Sequence, residues 1–221
     1  MPADFSSSTL PSYIAVEGPT GVGKTSLPKR LAESFNYETI LETSETNPFL
    51  DQFYENRRNS ALPTQLFFLF DRARQVENMR QGDIFKPVRV ADFLIDKDRL
   101  FAELNLTADE LTLYDKVTEH LSVSAPAPDL VVYLQAPAEV LMDRIQHRGI
   151  PREANMDRGY LDELIEAYTR FFHYYDEAPL LIVNSSELDL VNNQEDYQFL
   201  LDYMLTIKTG RHYYNPKQSI L

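Results

Sequence analysis

The chain has 221 residues, which suits one α/β domain with a substantial core. Its net charge of −13, from 21 Lys and Arg against 34 Asp and Glu, argues against a nucleic-acid groove or an anionic membrane surface and for small-molecule partners. The absence of cysteine excludes a disulfide framework and a thiolate metal site and fits a cytoplasmic protein, and the four histidines show no ligand spacing.

Residues 1–12 are polar, lack a basic n-region and contain no apolar run, so they read as a flexible N-terminal tail before a single domain over residues 13–221. Tyr13 to Gly18 is a short apolar run ending in glycine. The stretch after it, through Thr25, is glycine-rich, and Thr25 to Phe35 has helical spacing of Leu27, Leu31 and Phe35, so the order is strand, loop, helix. A second short strand over Thr39 to Leu41 leads into Glu42, and Asn47-Pro48-Phe49-Leu50 reads as a turn opening a helix to about Tyr54.

Thr64 to Gln81 is a long helix whose apolar face, from Leu66 to Met79, is broad enough to predict burial on more than one side and a homodimer. Val88 to Ala91 is a third strand, ending in Asp92, and helices follow over Lys97 to Leu104 and Ala108 to Leu121. Leu130 to Leu134 is apolar throughout, as a central parallel strand covered on both faces should be. Ala138 to Arg148 is helical, a loop rich in Arg and Gly follows, Tyr160 to Tyr175 is helical, and Leu180 to Val183 is read as the last strand. Alternating strands and helices predict an α/β, three-layer fold of the P-loop NTPase type, a parallel sheet flanked by helices.

The glycine-rich stretch matches G-x-x-x-x-G-K-[ST]: Gly18, Pro19, Thr20, Gly21, Val22, Gly23, Lys24 and Thr25, with Ser26 next. Its glycines let backbone amides curl around phosphate oxygens. Lys24 reaches the β and γ phosphates, Thr25 offers its hydroxyl to magnesium, and the following helix adds the field of its N-terminus. A switch-type GTPase would carry an Asn-Lys-x-Asp run, and none occurs. Arg144, Arg148 and Arg152, four apart around Gly149-Ile150-Pro151, gather positive charge in an acidic chain, so they read as a lid over a transferring phosphoryl group or, more plainly, as a solvated helix end.

An acceptor hydroxyl needs a proton acceptor, and Glu42 stands at a strand end, on the side of a parallel sheet where ligands bind; plain solvation is the alternative. Gln65 and Arg72, seven apart, share one helix face and are side chains that read base edges, although two ordinary polar positions would look the same.

Together these segments resemble the bacterial deoxynucleoside kinases, and most of all the deoxyguanosine kinases. The resemblance is carried by Ile14 to Thr25, Glu42 to Tyr54, Gln65 with Phe67-Phe68-Leu69 and Arg72, Ala91-Asp92-Phe93 with Leu100-Phe101-Ala102, and Arg144 to Glu153. It implies that ATP, with magnesium, phosphorylates the 5′-hydroxyl of a deoxynucleoside, deoxyguanosine or deoxyadenosine. Glu42 is then the general base, and Tyr54 and Glu153 bind the 3′-hydroxyl. Gln65 and Arg72 hold the base edge, Phe101 packs on its face, Arg144 and Arg148 are lid arginines with Lys24 at the phosphates, and Thr25 and Asp92 serve the metal. The chain departs from the family pattern where Phe93 replaces an arginine, where Ile150 replaces another with Arg152 nearby, and where Thr64 replaces an aromatic residue. Another small-molecule or nucleoside-monophosphate kinase, and a nucleotide-binding regulatory subunit without turnover, are the rival readings.

Overall fold

The computed structural model describes residues 11–35, 37–81, 89–121, 125–154 and 156–216. Most of the expected N-terminal tail, and Val88 at the start of the expected third strand, lie outside them. Six strands form one sheet in the order β2-β3-β1-β4-β5-β6, every neighbouring pair parallel. They are β1 (Tyr13–Glu17), β2 (Glu38–Ile40), β3 (Arg89–Ala91), β4 (Leu130–Gln135), β5 (Leu180–Asn184) and β6 (Arg211–Tyr214). The helices between them are α1 (Ser26–Phe35), α2 (Leu50–Glu55), α3 (Arg57–Gln81), α4 (Lys97–Asn105), α5 (Ala108–Leu121), α6 (Ala138–Arg148), α7 (Arg158–Tyr174) and α8 (Gln194–Met204).

The uniformly apolar runs take the central places. β1 is buried along its whole length, as are the apolar parts of β4 and β5, because helices cover both faces of the sheet. After β1 the chain passes over β3 to lay down β2, returns to β3, and then crosses to β4 on the other side of β1. The order therefore reverses at β1, and the carboxyl ends of β1, β2 and β3 open onto one crevice, the place where a parallel α/β sheet holds its ligands.

Three expectations change. The long helix starts at Arg57 rather than Thr64, with Pro63 inside it, so the proline marks no boundary. Only the N–H that Pro63 lacks is lost, and α2, α4 and α5 packing along α3 outweighs the cost. That packing also uses much of α3's apolar breadth within the chain, although Phe70 remains 52% exposed. Leu180 to Val183 is not the last strand: α8 and β6 follow. The signal for α8 was present, with Asn193 capping the amides of Glu195 and Asp196 and Tyr197, Leu200, Leu201 and Met204 buried at helical spacing. β6, Arg-His-Tyr-Tyr, has no apolar run and is an edge strand with only alternate residues half-buried.

The turn into the phosphate loop depends on close approach. Gly18 has φ 149°, and a Cβ there would stand 2.3 Å from the Leu134 carbonyl oxygen of β4. Gly23, at φ 104°, faces open space. Gly18→Ala is therefore expected to lower unfolding stability by at least about 2 kcal/mol, and Gly23→Ala by less, the strain of its φ alone. Urea unfolding of the two variants decides this, and equal losses would contradict it.

Candidate active site

Glu17, the last residue of β1, is wholly buried, and its carboxylate is fully engaged. Oε2 accepts from the Gly18 amide at 3.1 Å and from the Tyr168 hydroxyl at 3.0 Å, and Oε1 accepts from the Leu94 amide at 2.7 Å and pairs with Lys97 Nζ at 3.0 Å. Tyr168 is held in turn by a ring ladder, parallel to Tyr133 of β4 at 6.0 Å and edge-on to Phe101 of α4 at 5.9 Å. The phosphate loop, the segment after β3, α4 and α7 thus meet at one buried charge.

Asp92 performs the second junction. Its Oδ2 accepts from Thr25 Oγ1 at 2.8 Å and its Oδ1 from the Glu42 amide at 2.6 Å, so one carboxylate joins the phosphate loop to the segment after β2. Burial raises its pKa. A hydroxyl and a carboxylate side by side are hard oxygen donors of the kind magnesium takes, usually with waters and substrate phosphates completing its shell. Among the described residues no cluster of three or more metal-ligating side chains occurs.

Glu42 is fixed from several sides. Besides its amide bond to Asp92, the neighbouring Thr43 hydroxyl donates to Asp71 Oδ2 at 2.7 Å, and the Gln75 amide reaches the Leu41 carbonyl at 3.4 Å, so α3 staples this segment. The Glu42 carboxylate contacts Arg72 through Oε1 and stands 3.7 Å from Lys97 Nζ. Burial pushes its pKa up, but Arg72, Lys97 and Lys24 outweigh that and hold it at about 2, so it is ionised at neutral pH. Burial, and then repulsion from Lys97, lower the pKa of Lys24 in the phosphate loop.

Arg72 is buried between Glu42 and Asp98, with contacts to both carboxylates, and its guanidinium lies 5.3 Å from the Phe68 ring centroid. Arg72 Nε and Asp98 Oδ2 are buried with no hydrogen-bond partner among the described residues. Gln65, two turns earlier on α3, is also buried. Thr64 is taken up in structure, its hydroxyl bonding to the Phe49 carbonyl at 3.5 Å while its own carbonyl accepts from Asn47 at 3.3 Å. Phe101 is half-buried, one turn beyond Lys97.

At the lid, Gly149 ends α6 in the left-handed region, and Pro151–Glu153 form a 3₁₀ turn. This brings Glu153 back to Arg148, 2.5 Å apart, beside Tyr54, whose hydroxyl pKa is raised by burial and then by Tyr160 and Glu153. Tyr54 therefore lies within electrostatic reach of the Arg148–Glu153 pair. Arg152 turns to Asp51 of α2 at 3.8 Å. Arg144 does not join Arg148: its guanidinium donates to the carbonyls of Ser185, Ser186 and Leu188, at 2.7, 3.4 and 3.4 Å, and pins the segment after β5.

Sequence reasoning missed Glu17, Lys97 and Asp98. Phe93 is buried in the core and brings no cation to the site; the cations beside Glu42 are Arg72 and Lys97. The Lys97-Asp98 pair at the start of α4 looked like an ordinary charged helix opening, and only the burial of both side chains distinguishes it.

The deoxynucleoside kinase family profile matches residues 14–207. This chain belongs to the deoxynucleoside kinase family. It is 35% identical over 192 residues to the deoxyguanosine kinase of Bacillus subtilis (strain 168), covering 84% of this chain and 92% of that protein. To the deoxyadenosine/deoxycytidine kinase of the same organism it is 28% identical over 207 residues, covering 89% and 93%. The deoxyadenosine kinase of M. mycoides has the same fold, with a TM-score of 0.76 at 22% identity over 88% of this chain and all of that one. As a deoxynucleoside kinase the chain is a phosphotransferase with a hydroxyl acceptor, and the crevice between β1, β2 and β3 is where its charged residues converge.

The depressed pKa of Glu42 has a consequence for stability. The unfolded chain takes up this proton near the ordinary value of 4.5, the folded one only near 2. The stabilisation it brings is thus complete above 4.5 and is lost as the pH falls toward 2. The stability gap between wild type and Glu42→Gln, followed by denaturant unfolding, should stay level from neutrality to 4.5 and shrink below it. A gap already shrinking near neutrality would show that Glu42 is not held in this way.

Proposed function

We propose that the protein transfers the γ-phosphoryl group of ATP to the 5′-hydroxyl of a purine deoxynucleoside, with deoxyguanosine preferred. The observation that carries this reading is the Asp92 bridge, because it ties Thr25 of the donor loop and Glu42 of the acceptor side to one carboxylate. Glu42, ionised and anchored, takes the hydroxyl proton as the acceptor oxygen bonds to the γ-phosphorus. The bond from that phosphorus to the bridging oxygen breaks, and its electron pair leaves with ADP. Lys24 and the amides of Gly18 to Ser26 hold the phosphates, and Arg148 neutralises charge that builds on the moving group. Thr25 and Asp92 would hold magnesium, which would supply neutralisation of the phosphate charge during transfer.

For the acceptor, Tyr54 and Glu153 bind the 3′-hydroxyl, a position supported by their proximity to each other. Phe101 covers the face of the base. Gln65, Arg72 and Asp98 read its edge: Arg72 Nε and Asp98 Oδ2 make no hydrogen bond among the described residues, and a base edge with an acceptor and a donor side by side would complete them. Guanine offers O6 and N7 to the arginine, and its N1–H and amino group to a carboxylate. Adenine meets the same demand less fully, and the 35% identity to a deoxyguanosine kinase supports the order. A nucleoside-monophosphate acceptor is disfavoured, because Arg72 is already neutralised by two carboxylates and offers its phosphate no free cation. Arg144 supports the donor side indirectly, by holding the segment after β5.

The same reading includes a cytoplasmic homodimer. No helix among the described residues is long and apolar enough to cross a membrane. Support for a dimer rests on the groove between α4 and α7, a cavity of about 520 Å³ lined by Phe171 and the exposed Tyr174 together with Arg99, Arg170, Asp176 and Glu177. Light scattering at micromolar concentration should give twice the chain mass, and a monomer would refute the dimer.

Purified protein with Mg-ATP should convert deoxyguanosine fastest among the four common deoxynucleosides. Silence on all four, with ATP binding intact, would favour a regulatory subunit. Glu42→Gln should retain nucleoside binding while kcat falls by about 100-fold or more, and near-normal turnover would remove Glu42 as the base.

A further inference from the structure

Lys97 is one of the most deeply buried side chains in the molecule, 2% exposed in the first turn of α4, and its ammonium stands between two carboxylates with different tasks. Glu17 Oε1 is 3.0 Å away and Glu42 Oε1 is 3.7 Å away. A buried ammonium must be paired, and Glu17 satisfies that need at hydrogen-bond distance. The approach to Glu42 is therefore more than burial requires.

The frame around Lys97 leaves it little freedom. The Leu94 amide binds the same Glu17 oxygen at 2.7 Å, which fixes the segment entering α4, and the Phe101 ring lies 5.9 Å from the ammonium one turn further on. On Glu42, both cations meet one atom: Arg72 and Lys97 each approach Oε1, and Oε2 takes part in neither pair. Two cations arriving from different helices, α3 and α4, define the plane of a carboxylate as one alone would not. Lys97 also opposes the charge of Lys24, so it lies within electrostatic reach of the phosphate loop.

We propose that Lys97 is a positioning residue for phosphoryl transfer, clamping Oε1 of Glu42 together with Arg72 so that Oε2 is presented, ionised, to the acceptor hydroxyl. The inference rests on Glu42 being the base. Arg72 of α3 and Lys97 of α4 supply the charge at this point, while Phe93, just after β3, is buried in the core.

The alternative is that Lys97 merely neutralises Glu17. Four variants separate the two roles: Lys97→Met, Glu42→Gln, their combination, and the charge-balanced pair Glu17→Gln/Lys97→Met. Steady-state kinetics at saturating ATP are read beside thermal unfolding. If Lys97 acts through Glu42, Lys97→Met lowers kcat by about 100-fold with KM for the nucleoside within about threefold, since the lost function is proton transfer rather than binding. In the Glu42→Gln background the same change costs less than about twofold, because residues acting as a unit are not additive. The balanced pair removes the stranded charge of Glu17, so it unfolds at a higher temperature than Lys97→Met and still turns over slowly. A balanced pair with wild-type kcat would overturn the proposal, as would a Lys97→Met loss that is additive with Glu42→Gln. Near-normal kcat in Glu42→Gln itself would instead overturn the reading of Glu42 as base, a separate failure. Should Lys97→Met alone fail to fold, the kcat of the balanced pair decides between the two roles by the same criterion.

Discussion

The site depends on one buried carboxylate. Glu17 ends the central strand with no exposure to solvent, and an ion in that position is tolerated only because every lone pair is used. Beside the neighbouring Gly18 amide, which opens the phosphate loop, its partners come from distant parts of the chain: the Leu94 amide follows β3, Lys97 begins α4, and the Tyr168 hydroxyl lies in the middle of α7. Removing any one would strand charge in a low-dielectric interior, so the four elements are locked by the cost of separating them. The aromatic ladder of Tyr133, Tyr168 and Phe172 serves the same end, since it fixes the ring that carries the hydroxyl.

From that point charge alternates across the crevice. Glu17 is followed by Lys97, Glu42, Arg72 and Asp98, each in contact with the next. A chain with a net charge of −13 has to attract phosphates without a broadly basic surface. The alternation solves this locally. Lys24 lies in the phosphate loop within electrostatic reach of Lys97, whereas Arg72 is taken up by two carboxylates. That arrangement suits an uncharged nucleoside better than a nucleotide. Low solvent access strengthens each pair, and no reorganisation is needed when charge moves during transfer.

Much of the fold was legible because it rests on local signals. The phosphate loop, the apolar strands β1, β4 and β5, and helices such as α5 and α6 follow from spacing and composition, and α5 and α6 have the bounds expected of them. What escaped were features whose cause lies far away in the chain. Pro63 resembles a helix boundary until α2, α4 and α5 are seen to pack along α3. β6 has no strand signature of its own and exists because β5 offers it an edge. In the site, Glu42, Arg72 and Asp92 could be singled out by position and residue type. Lys97 and Asp98 could not, because an acidic or basic residue in a first helical turn is normally solvated; their roles depend on partners as much as 80 residues away in sequence, as Lys97 is from Glu17.

The three lid arginines show the limit of reading charge by spacing alone. Residues four apart on a helix share a face, but this face ends at Gly149, and beyond it the direction of the chain is set by a left-handed residue and a 3₁₀ turn. Arg144, still within the helix, is drawn to the carbonyls after β5; Arg148, at its last turn, meets Glu153; Arg152, past the turn, crosses to α2. One cluster in sequence therefore becomes three separate anchors. The Arg148 to Glu153 pair closes the turn back onto the end of α6, with Tyr54 of α2 within electrostatic reach of both. Each anchor is set by a partner outside the helix's own spacing, by the same sharing of partners that holds Glu17 and Asp92.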